Sequence, residues 1–143
     1  MHPMKQYVVL RLEQQEYAIP IEMAREIIRL PVLTPLPGMP AGMLGITNLR
    51  GTVLPAWDLH VRFGGTALAR TQESQLLVLQ TGVGTIGIVV DDVTEVSDFE
   101  ESELTAMPPA GSDTRAISPE QVIMRDDRLI LVLGDHRFTA LSA

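Results

Sequence analysis

Two stretches of the chain carry nearly unbroken apolar runs, each followed by a polar turn and a second run. The first holds Tyr7, Val8, Val9, Leu10 and Leu12, then Gln14, Gln15 and Glu16, then Tyr17, Ala18, Ile19 and Ile21. The second holds Leu76, Leu77, Val78 and Leu79, then Gly82, Val83 and Gly84, then Ile86, Ile88, Val89 and Val90. Apolar runs this short, bounded by turn residues, predict buried strands. Each pair of runs predicts a hairpin, with Gln14–Glu16 and Gly82–Gly84 as the turns. Glycine suits the second turn because it tolerates the positive φ of tight hairpins.

The two stretches are related. Val8 and Leu77 lie 69 residues apart, as do Tyr17 and Ile86. Glu22 with Asp91, Glu26 with Glu95, and Ile27 with Val96 keep the same spacing. An ungapped match over about twenty residues indicates an internal duplication. It also bears on residues 21–29, where Ile21, Ala24, Ile27 and Ile28 fit a helical period. The counterpart, with Val89, Val90, Val93, Thr94 and Val96, is β-branched, which favours a third strand in both copies.

Punctuation marks the remaining elements. Pro31, Pro35, Pro37 and Pro40 interrupt regular structure. Residues 40–45 leave room for one helical turn ending at Gly45. Residues 46–49 and 52–57 predict strands around Arg50 and Gly51. The polar residues 64–75 link the halves. Ser97 with Glu100 fits a capping box. Residues 105–119, with Pro108, Pro109, Gly111 and Pro119, predict a long loop, and 128–133 a final buried strand. Many short strands with almost no long helix predict an all-β fold with a few short helices, built as small barrels.

Composition narrows the chemistry. The 143 residues fit one domain or two small ones, and 45% are apolar. No cysteine is present, which removes disulfides, thiolate metal sites and cysteine nucleophiles. The N-terminus has no apolar signal segment and no run nears the ~20 residues that span a bilayer. The net charge of −7 and a single lysine, Lys5, disfavour nucleic acid and anionic membranes as partners.

Candidate catalytic groups fail on context. Residues 82–87 match G-x-G-x-x-G, but that fingerprint binds a dinucleotide only where its last glycine opens a helix. Here an apolar β-branched run follows, so a hairpin is expected, and a small nucleotide-binding protein remains a distant alternative. His2, His60 and His136 share no metal-ligand spacing. The acidic residues Asp98, Glu100, Glu101 and Glu103 lack the ligand pattern of a calcium loop. Asp91–Asp92 and Asp126–Asp127 would point to opposite faces of a strand. No catalytic residue, metal ligand or cofactor site is assigned, and a binding module is expected rather than an enzyme.

One segment is distinctive: Gly45-Ile-Thr-Asn48-Leu49-Arg50-Gly51-Thr-Val-Leu-Pro55-Ala-Trp-Asp58-Leu59. It resembles the signature of the CheW family of chemotaxis adaptors, with N-L-R-G followed by apolar-Pro-apolar-apolar-Asp-Leu. Glu26-Ile27 with Leu36-Pro37 upstream, and Gly87-Ile-Val-Val-Asp91 with Val93 downstream, are similar to further family elements. The resemblance covers residues 7–104 and the strand near 127–133. It departs at 116–122 and 133–136.

The resemblance implies a single CheW-like domain over 5–143, made of two SH3-like five-stranded barrels packed together. The subdomains would span about 5–66 and 73–143, with end strands free to cross over. It implies a cytoplasmic adaptor, recruited to membrane receptor arrays, that couples chemoreceptors to the histidine kinase CheA. Its partners would be the kinase's CheW-like regulatory domain and the cytoplasmic tip of methyl-accepting chemoreceptors. A CheW-like scaffold of a non-flagellar pathway, for pili or gene regulation, is the alternative. Partner contacts would come from Glu26, Gly45, Ile46, Asn48, Leu49, Arg50 and Val93. Two roles are open to Arg50: bracing its barrel through a nearby carboxylate, or facing a receptor helix pair. Gly45, Ile46, Leu49 and Val93 would supply apolar contacts in a groove between the barrels, or belong to the core.

Overall fold

The computed structural model describes residues 4–62, 65–106, 121–135 and 138. Eleven strands are seen among them: β1 (Met4–Leu12), β2 (Gln15–Pro20), β3 (Ala24–Arg29), β4 (Met43–Leu49), β5 (Thr52–Trp57), β6 (Gln75–Thr81), β7 (Gly84–Val90), β8 (Asp92–Glu100), β9 (Leu104–Ala106), β10 (Gln121–Arg125) and β11 (Arg128–Val132). Helical turns are short: 3₁₀ at Ile21–Met23 and Glu101–Glu103, and α1 at Leu59–Arg62.

The strands form two sheets, ordered β8-β1-β2-β11-β10-β9 and β3-β6-β7-β5-β4. Neither sheet comes from one half of the chain. The hairpin β1–β2 lies in the sheet of β8 to β11, and β6–β7 lies in the sheet of β3 to β5. The all-β fold expected from the strand pattern is present, with six and five strands rather than five and five. The additional strand is β9, paired to β10 through Ala106, Thr105 and Leu104.

Both sheets roll on themselves without a continuous closing ladder. The edge strands β8 and β9 are joined by the three residues Glu101–Glu103, a link that spans about 10 Å at most. Arg125 ties this seam, donating to the Asp98 carbonyl at 2.9 Å and, through Nη2 and Nε, to the Glu103 carboxylate at 2.6 and 2.7 Å. In the second sheet, Thr34 bridges to Ile46 of β4 beyond the end of β3.

The duplication is carried into the register. Val8 faces Val96 and Val9 faces Glu95, just as Leu77 faces Ile27 and Val78 faces Glu26. Both ladders then skip one residue, Thr94 in β8 and Arg25 in β3, giving equivalent β-bulges. From β4 onward the spacing becomes 76, as for Gly45 with Gln121 and Ala56 with Val132. The parallel pairs repeat too: Ala56 beside Gly87, and Val132 beside Ala18.

Burial explains the apolar runs. Val8, Leu10 and Leu12 pack with Leu77, Leu79, Ile86 and Ile88 between the sheets. The alternate residues Tyr7 and Val9 point the other way, onto Phe99, Ile123 and Ile130. Leu76 and Val78 likewise pack on Leu54, Ala56 and Val89. A hairpin covered on both faces must be apolar at every position. The third strands β3 and β8 are edges, and they alternate instead.

Local expectations shift in four places. The first turn is Glu13–Gln14, since Gln15 already pairs with Leu12. Ser97 and Glu100 lie in β8, and the capping box forms three residues later, with Glu103 accepting from the Glu100 N–H at 3.0 Å. Pairing with β1 holds residues 97–100 extended. Residues 40–42 form a turn, not a helix, and Gly45 sits inside β4. Residues 21–23 are 3₁₀, with the strand starting at Ala24. The loop expected at 105–119 lies largely outside the described residues.

Candidate partner-binding face

The β4–β5 connection is a two-residue hairpin, Leu49 pairing with Thr52. Arg50 and Gly51 both take left-handed backbone, φ 49° and 89°, as a type I′ turn requires. The Asn48 side chain stabilises it, its Oδ1 accepting from the Gly51 N–H at 2.9 Å. This turn reaches across the rolled sheet to β3, where the Arg50 Nη2 donates to Glu26 Oε1. The bulge at Arg25 sets Glu26 in place for that contact.

Arg50 remains 70% exposed in this pair and Glu26 30% exposed. An ion pair this wet contributes about 0–1 kcal/mol, so it orients the guanidinium more than it holds the fold together. Beneath it lies a shallow cleft of about 290 Å³, lined by Glu26, Leu49, Leu54 and Val78, with Gln80 and Thr85 as polar groups. The cleft therefore sets an oriented cation above a small apolar floor.

The predicted residues separate into two groups. Glu26, Leu49 and Arg50 meet at the cleft, and Asn48 shapes the turn that presents Arg50. Gly45 and Ile46 line the inner course of β4. The Ile46 N–H and carbonyl both bond Thr34 at 2.9 Å. Gly45, with φ 150°, leaves no room for a Cβ, which would stand 2.7 Å from the Thr34 carbonyl oxygen. Val93 packs against the core between the sheets. Sequence patterning missed Arg25, Thr52, Gln80 and Thr85 on this face. The spacing of 69 located the strand bearing Arg25, but only the pairing of β6 with β7 sets Gln80 beside Thr85 in the same cleft.

Asp58, which follows β5, has a structural post. It is 2% exposed, caps α1 by accepting from the N–H groups of His60 and Val61, and anchors the following segment through the Leu68 N–H at 2.9 Å. Residues 82–87 form a hairpin turn and strand, with Thr81 Oγ1 donating to the Gly84 carbonyl at 2.9 Å. No helix follows to present an N-terminus to a pyrophosphate. Among the described residues, no group of three or more His, Asp or Glu side chains is arranged to hold a metal ion, and no helix is long and apolar enough to cross a membrane.

Comparison with known proteins gives one consistent answer. The model of the CheW-like domain matches residues 6–139. The chain is 30% identical to the chemotaxis protein CheW of Rhizobium meliloti, over 90% of this chain and 83% of that protein. It is 33% identical to the protein FrzA of Myxococcus xanthus, over 80% and 71%. The crystal structure of the scaffolding protein TtCheW from Thermoanaerobacter tengcongensis superposes with a TM-score of 0.80 at 29% identity, covering 92% of this chain and 88% of that one. With its paired β-sheets and its N-L-R-G turn at the tip of β4–β5, this chain belongs to the CheW-like domain family.

Proposed function

We propose that this chain is a non-catalytic chemotaxis adaptor that couples chemoreceptors to the histidine kinase CheA through protein–protein contacts. The observation that carries this is the Arg50 guanidinium, held by Glu26 yet mostly exposed above an apolar cleft. That arrangement suits a helical partner with a carboxylate beside small apolar side chains, a receptor tip lying along the groove. The kinase's CheW-like regulatory domain is the second partner. Each contact is modest, and assembly in an array supplies avidity. The adaptor works in the cytoplasm and reaches the membrane through its receptors.

The test is co-sedimentation with a membrane-embedded chemoreceptor fragment, alongside a pull-down with the CheA regulatory domain. Wild type is expected in both complexes. Arg50→Glu is expected to lose the receptor and keep the kinase domain. Wild type absent from both complexes would overturn the proposal, and unaltered receptor capture by Arg50→Glu would remove Arg50 from it.

A further inference from the structure

Pro55 and Trp57 alternate along β5 with the buried Leu54 and Ala56, and so stand on the other face of the sheet. A cleft of about 220 Å³ opens beside them. Met43, Pro55, Trp57, Val83 and Ile86 form its walls, and Thr85 is the one polar side chain among its described residues. Proline explains why it is there. β5 pairs with β7 only through Ala56 and Trp57. Pro55 has no N–H to give a neighbouring strand, and the ladder stops at it.

Trp57 is 3% exposed, yet its Nε1–H has no acceptor. A buried donor left without a partner is costly and rare. The Arg62 guanidinium stands 6.0 Å from the centre of the same ring and adds positive potential beside it. The complement is a carbonyl oxygen carried on an apolar body. No charged side chain lines the cleft among the described residues, so an ion would lose its hydration for no partner. The Thr85 hydroxyl already donates to Gln80 Oε1 at 2.9 Å. An ordinary peptide link would bring its own N–H into this lining. A link to proline brings an acceptor and no N–H.

We propose that this cleft binds a proline-containing peptide segment of a partner protein. A pyrrolidine ring packs among Pro55, Trp57 and Val83, and the carbonyl before it accepts from the indole Nε1–H. Such a segment is extended in advance and loses little entropy on docking. Met43, unbranched and easily turned, is the wall that yields to admit the carbonyl. The site lies on β4, β5 and β7 and does not rest on the adaptor role.

Trp57 is the sole tryptophan of the chain, so a ¹⁵N-labelled sample gives one indole N–H cross-peak. The probes are the blocked peptides acetyl-Leu-Pro-Pro-Leu-amide and acetyl-Leu-Ala-Ala-Leu-amide. The proline peptide is expected to move the indole peak downfield, with half-saturation below about 1 mM, and the alanine peptide to bind about tenfold more weakly or worse. Val83 is 47% exposed at its hairpin tip, and Val83→Asp, folded by circular dichroism, is expected to weaken the proline peptide about tenfold. An indole peak that stays in place, or that answers both peptides equally, overturns the proposal on the wild type alone. Full binding by folded Val83→Asp does so too. A peak that moves on diluting the protein without peptide would put a second copy in the cleft and overturn it as well.

Discussion

Glu26 and Glu95 occupy the same position in two copies of one strand, each one residue past an equivalent bulge, yet their guanidinium partners come from different places. Glu26 takes its bond from Arg50 at a hairpin tip. Glu95 takes its bond from Arg128, which also holds both carboxylate oxygens of Glu16 at 2.6 and 3.2 Å. The first pair projects an exposed cation. The second ties together β2, β8 and β11 and spends its cation inside the sheet.

That difference separates binding from stability at Arg50. Arg50→Glu breaks one exposed pair and sets a second carboxylate near Glu26, for about 1 kcal/mol. Tm is expected to fall by less than about 4 °C for a chain of this size, while receptor capture is lost. A much larger drop in differential scanning calorimetry would assign Arg50 to bracing.

Gly84→Val is expected to destabilise by about 1–3 kcal/mol, the range for a side chain forced into a sparsely populated backbone region. Gly84 has φ 119°, and nothing lies within 4 Å of where its Cβ would stand. The cost is therefore conformational, and Gly84→Ala should show much of it. Urea midpoints unchanged in both variants would refute the positive φ.

Gly45→Ala tests contact in addition to backbone. Its Cβ would meet the Thr34 carbonyl at 2.7 Å, and so would push residue 34 off β4. Stability is expected to drop by about 1–3 kcal/mol, with faster amide exchange at Ile46, whose N–H donates to Thr34. Protection at Ile46 equal to wild type would contradict the close approach.

Acid should weaken the β8 seam. Glu95 is held below the ordinary carboxylate range by the hydrogen bond from Ser97 and then by Arg128. Glu103 is lowered by Arg125 and by the Glu100 N–H. With folded values lowered, the unfolded chain takes up protons first. Their stabilisation is thus complete above the unfolded carboxyl value of about 4.3 and disappears as pH falls through the folded values. The urea midpoint should decline from about pH 5 downward, and Arg125→Met should flatten that decline. An equal slope in the variant would sink the assignment.

Several features were legible in the residues alone. Continuous apolar runs marked the two hairpins, and the spacing of 69 related them. The asparagine-to-glycine turn around Arg50 located the exposed tip. Helical turns were less legible. The capping box slipped by three residues because Ser97 to Glu100 pair with β1, a strand more than eighty residues away. Asp58 could be seen as part of a motif, but its role as a buried cap needed Leu68, His60 and Val61 brought around it.

By itself, the sequence determined the two buried hairpins, the strands on either side of Arg50 and the last strand, that the chain is two copies of one pattern, and which turn carries the cation; it did not mark β9 or β10. Tertiary structure alone decided that each copy lends its hairpin to the other's sheet. An apolar run records that both faces of a hairpin leave water, since burial depends on the run's own side chains. It does not record which partner covers them, because hydrophobic contact is non-directional and either sheet satisfies it locally. That choice rests on shape and hydrogen-bond register summed over both sheets.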